Sequence, residues 1–138
     1  MEAGGRLQAW DLERERVTAS IHAHDWSTFD CAPLGEQRVV TASEDQTLRV
    51  WDVQTGWSRL LYGHEVELDR CAALGDGRIV SLDEDGMLRV WDAETGRCHA
   101  VFPTGVEACS MAVREQVVAL GAESGELVVL EIGAPEPA

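Results

Sequence analysis

The stretches TLRVWDVQTG (47–56) and MLRVWDAETG (87–96) decide how this chain is read. The five letters LRVWD are identical at 48–52 and 88–92, and a looser copy, LQAWD, stands at 7–11. Trp10, Trp51 and Trp91 are therefore 41 and then 40 residues apart. A phrase that returns at a near-constant interval marks a structural unit written several times, so the repeat governs every other reading.

Around the phrase the text alternates between β-rich runs and turns. RVVTASED (38–45) and RIVSLDED (78–85) are rich in β-branched residues and end in acidic turn residues. QTG and ETG follow the Trp-Asp pairs, and Gly56 and Gly96 permit tight hairpins there. WSRLLYGH and RCHAVFPT come next, then VELDRCAAL and VEACSMAV, giving four strands to each full unit. No stretch carries a sustained apolar period of 3.6, so no helix is expected. RVV, RLLY and VVAL are apolar on successive residues, as in a small sheet buried on both faces.

Four antiparallel strands in about 40 residues is the arithmetic of a β-propeller blade. The expected fold is all-β, about three such blades in an incomplete ring, since propellers have about four to eight. The strand count is 13: two leading strands, two full units, then three strands. The expected boundaries are a partial blade at 1–22, units at about 23–62, 63–102 and 103–132, and a disordered tail at 133–138.

Composition narrows the partners. The 138 residues are 45% hydrophobic, which is globular in character, and the net charge is −14. Phosphate backbones and anionic membranes repel such a chain, so neither nucleic acid nor membrane is an expected partner. The opening residues show no charged leader before an apolar core, and no apolar run approaches the roughly 18 residues of a membrane span. Cys31, Cys71, Cys98 and Cys109 form no C-x-x-C pair and no metal-ligand spacing. They read as small reduced core thiols of a cytoplasmic protein.

A buried tryptophan needs an acceptor for its indole N–H, because an orphaned donor costs about 1–3 kcal/mol. Asp45, Thr41 and His24 lie 6, 10 and 27 residues before Trp51; Asp85, Ser81 and His64 lie at the same offsets before Trp91. With these residues the chain resembles the WD-repeat family over nearly its whole length. In that family Trp, Ser or Thr, a turn Asp and a loop His form a structural hydrogen-bonded tetrad. The resemblance implies Trp51–Thr41–Asp45–His24 and Trp91–Ser81–Asp85–His64. Gly63-His64 also matches the family's Gly-His dipeptide, whereas Ala23-His24 keeps only the histidine.

The pattern breaks at both ends. The tetrad positions of the last unit read Thr104, Leu120, Ser124 and Leu130, a joint change that suits a terminal blade. Trp10 has Gly4 where its aspartate belongs, and its other partners would precede Met1. The chain thus resembles the C-terminal part of a larger bacterial-type array, or a protomer whose ring another chain completes. Self-association or docking onto missing blades is the expectation, with an open sheet edge at 127–132 and a strand such as 17–22 of a second copy to pair with it.

Ser, His and Asp together evoke a hydrolase triad, but a hydroxyl beside a core Trp in a repeated arrangement is structural. His22-Ala23-His24 has no second ligand pair for zinc. No catalytic residue, metal or cofactor is expected. The resemblance implies a non-enzymatic protein-interaction module or scaffold, which binds through the loops at the tetrad end. Asp25, Glu44, Glu65 and Glu84 are the candidate contacts, with Glu67, Glu107 and Glu123 nearby, and the matching partner is a protein with a basic surface. A truncated remnant with no partner, and an enzyme with a site in the central channel, are the alternatives. Trp57 is expected at the opposite end.

Overall fold

The computed structural model describes residues 5–24, 28–43 and 45–133, and the side chains of Arg6, Ala19, 21–24, Thr28 and Phe29 are also outside the description. The tail placed at 133–138 therefore lies, but for Gly133, outside the described residues. The described chain is all-β: thirteen strands in four antiparallel sheets. The first sheet pairs β1 (Gly5–Asp11) with β2 (Arg16–His24). The second runs in chain order through β3 (Thr28–Leu34), β4 (Arg38–Ser43), β5 (Leu48–Asp52) and β6 (Ser58–Leu61). The third repeats it with β7 (Leu68–Ala73), β8 (Ile79–Asp83), β9 (Met87–Trp91) and β10 (Cys98–Pro103). The last holds β11 (Ala108–Arg114), β12 (Val117–Ala122) and β13 (Leu127–Glu131). No closed ring forms among the described residues.

Register repeats as closely as sequence. Cys31 faces Thr41 and Val39 faces Trp51 in the second sheet; Cys71 faces Ser81 and Ile79 faces Trp91 in the third. Each of the last three sheets also bulges at the same place, at Thr28/Asp30, Leu68/Arg70 and Ala108/Ser110. The aspartate of the repeated phrase has a local duty: Asp52 Oδ1 accepts the N–H groups of Gln54 and Thr55, and Asp92 Oδ1 those of Glu94 and Thr95. These Asx turns fix the hairpin that the following glycine closes.

The middle strands are buried on both faces, as β8 shows by being buried at every residue. One apolar cluster joins Val40, Ala42, Leu48 and Val50 to Cys71, Ile79 and Trp91. Another joins Val80, Leu82, Leu88 and Val90 to Val118 and Leu120. Polar bridges cross the same junctions. Asp30 Oδ2 accepts the Cys71 N–H at 3.0 Å, and Arg70, at the equivalent position of the next unit, donates to the Cys109 carbonyl at 2.8 Å.

Candidate functional site: a buried relay beneath an acidic cleft

Strand periodicity organises the third sheet's polar core. Ser81 and Asp83 are two residues apart on β8, so both side chains leave the same face. Trp91 on β9 donates its indole N–H to Ser81 Oγ at 2.8 Å. His64, on the loop between β6 and β7, meets Ser81 Oγ through Nε2 and Asp83 Oδ2 through Nδ1, the latter at 2.7 Å. The other carboxylate oxygen of Asp83 accepts the turn N–H groups of Asp85 and Met87. The donors run in one direction: indole to hydroxyl, hydroxyl to imidazole, imidazole to carboxylate. Gly63 is small for a reason, because a Cβ there would stand 2.9 Å from the Trp91 ring.

This places the acid of the network at Asp83, not at Asp85. Asp85 lies past the end of β8 and is exposed, so its carboxylate cannot reach the face that Ser81 occupies. The alternation of positions 81 and 83 was a usable signal; comparison with Asp45 hid it, because position 43 of the preceding unit is serine. In the second sheet Trp51 donates to Thr41 Oγ1 at 3.2 Å, while Asp45 Oδ1 accepts the backbone N–H of Thr47 and Ser43 Oγ accepts that of Asp45. The His24 side chain lies outside the described residues. In the last sheet Leu120 is buried, and Thr104, at the histidine position, instead donates to the carbonyl of Gly86 at 2.7 Å. Gly86 has φ +79° and its Cβ would stand 2.7 Å from the Val106 carbonyl oxygen, so only glycine fits there.

The relay has the residue types of a catalytic triad but no approach for a substrate. Ser81 is completely buried, and a lone pair of its oxygen is committed to the Trp91 indole. Burial pushes the His64 imidazole below its ordinary value, against the opposing pull of Asp83. The unfolded chain therefore takes up this proton first as the medium is acidified. The resulting stability is complete above the unfolded value of about 6.5 and is lost as pH falls through it toward the folded value. Denaturant midpoints are expected to drop between about pH 7.5 and 5.5, and the drop to shrink in His64→Gln.

Above the relay an open cleft of about 710 Å³ separates the third and last sheets. Asp69, Glu84 and Asp85 line one wall; Glu107, Glu123 and Glu126 line the other. The negative charge of Glu67 beside Glu84 holds the Glu84 carboxyl above its ordinary value, helped by desolvation and a hydrogen bond between the two. Of the four candidate contacts, Glu84 is in this cleft. Glu65 is exposed on the neighbouring loop without lining it, and Asp25 and Glu44 lie outside the described residues. Asp69 and Glu126 are cleft residues that the reading of the loops did not single out; their convergence needs two sheets to meet. Trp57 is about half exposed on the hairpin side, under the Arg59 guanidinium. Among the described residues no group of His, Cys, Asp and Glu is arranged to hold a metal ion.

The family model "WD domain, G-beta repeat" matches residues 15–52. The chain is similar to the Denticleless protein homolog of Gallus gallus, 44% identical over 57 residues, covering 38% of this chain and 8% of that protein. It is also similar to the Peroxisomal targeting signal 2 receptor of Mus musculus, 37% identical over 70 residues, covering 44% of this chain and 21% of that one. WD repeat and SOCS box-containing protein 1 of Xenopus tropicalis is 33% identical over 67 residues, which cover 46% of this chain and 16% of that protein. The matched part is thus about a fifth or less of each of these relatives. Among solved structures, the crystal structure of the computationally designed Ika4 protein superposes with a TM-score of 0.78 at 25% identity, covering 94% of this chain and 81% of that one.

Proposed function

We propose that the chain is a β-propeller protein of the WD-repeat type and a non-enzymatic protein-interaction scaffold that binds a basic protein surface in the acidic cleft. The observation that carries this reading is the convergence of Glu84 and Asp85 from one sheet with Glu107, Glu123 and Glu126 from the next. Negative charge crowded enough to hold the Glu84 carboxyl above its ordinary value is relieved by an incoming guanidinium or ammonium group, and it repels nucleic acid and anionic lipid. The polar relay beneath the cleft holds it open and does no chemistry. The protein works in the cytoplasm with its cysteines reduced, and it associates with a second copy or with further blades.

Host proteins captured on the chain should leave it as salt rises, because the Debye length shrinks from about 10 Å at 0.1 M to about 3 Å at 1 M. Glu84→Arg with Glu123→Arg should weaken capture by about fivefold or more for each reversed charge, on the order of 1 kcal/mol apiece. Capture that ignores both salt and these substitutions would move the site off the cleft.

A further inference from the structure

The two outward faces of this array match the two sides of a junction that the chain already makes within itself. At the junction between the second and third sheets, the residues on alternate positions of one sheet pack on the tryptophan-bearing face of the next. Val40, Ala42, Leu48 and Val50 lie on Ile79 and Trp91 in this way. Leu88 and Val90, in the same repeat positions as Leu48 and Val50, are 1% and 2% exposed beneath the last sheet. Their equivalents on β13 are Leu127 and Val129, and these are 72% and 60% exposed. At the other end the tryptophan side is bare: Trp51 and Trp91 are 2% and 1% exposed, but Trp10 is 55% exposed. Strand pairing sets Trp10 opposite Val17, which is 41% exposed, so the two extend one apolar face.

We propose that a second copy of this chain docks head to tail, with the Trp10–Val17 face of one copy on the Leu127–Val129 face of the other. Each half is an apolar surface whose counterparts are buried in the two four-stranded sheets, and the residues equivalent to one half pack on those equivalent to the other at the junction between these sheets. The contact is heterologous, so two copies satisfy both faces of each only where the rotation between them closes a ring. The inference rests on the blade reading of the chain and makes no use of the acidic cleft.

Light scattering of the whole chain at tens of micromolar should give about twice its 15.1 kDa mass. Trp10→Glu alone, and Leu127→Glu with Val129→Glu, should each bring the mass toward that of one chain while the strand circular-dichroism signal persists, since all three side chains are exposed. Mixing the two variants should restore a two-chain species, because one keeps its tail face intact and the other its head face. Glu84→Arg should leave the mass unchanged, which separates this test from that of the cleft. A single-chain mass for the unaltered protein, a two-chain mass that survives all three substitutions, or a mixture that stays monomeric would each overturn the proposal.

Discussion

Trp91→Ala is expected to cost about 3–5 kcal/mol of folding stability, the range for removing a large aromatic side chain from a packed core. Trp91 is 1% exposed and packs among Cys71, Ile79 and Leu61. Its loss opens a cavity at the junction of two sheets and removes the donor that Ser81 accepts. Globular domains are stable by about 5–15 kcal/mol, so the loss is a large share of the total. At about 4 °C per kcal/mol for a chain of this size, the melting midpoint should fall by about 12–20 °C. Should that variant fail to fold, Trp91→Phe keeps most of the packing and isolates the indole N–H, at about 1–2 kcal/mol. Trp10→Ala, at a site 55% exposed, should cost under about 1 kcal/mol when measured under conditions where the chain is monomeric. Equal losses at positions 10 and 91 would show that the two tryptophans share an environment, against the burial described above.

Asp83→Ala is expected to be the second most damaging change, at about 2–4 kcal/mol. It strips three buried or half-buried donors of their acceptor: the His64 Nδ1–H and the backbone N–H groups of Asp85 and Met87. An orphaned buried donor is penalised by its full desolvation, whereas replacing a whole polar set with apolar groups can be nearly neutral. The last sheet makes the second kind of change naturally, with Leu120 for Ser81, Ala122 for Asp83 and Leu130 for Trp91. Asp85→Ala, on an exposed turn residue, should stay within about 0.5 kcal/mol. Urea melts of the two variants side by side decide the matter, and a larger loss at Asp85 would return the acid of the network to the turn.

The repeated phrase LRVWD made the sheet legible because its information is local. Trp51 and Trp91 each reach a hydroxyl ten residues back, and a hairpin places those positions on adjacent strands in every copy. The Asx turns at Asp52 and Asp92 are likewise written within four residues. The candidate contacts were legible only as a set of acidic turns. Glu84 and Glu123 are 39 residues apart in sequence, and nothing in either turn states that they share a cleft.

By itself, then, the sequence determined the unit: its strands, their order, the hairpin chemistry and the pairing of each core tryptophan with a hydroxyl. These depend on spacing along one or two neighbouring strands, which the chain carries in its letters. Tertiary structure decided between Asp83 and Asp85, because the His64 loop must come down on one face of β8 before a carboxylate on that face has a partner. It also gave three identical letters different fates. Trp91 disappears into a junction between two sheets and Trp51 is buried as well, while Trp10 remains bare, since what covers Trp91 is the neighbouring sheet and not its own.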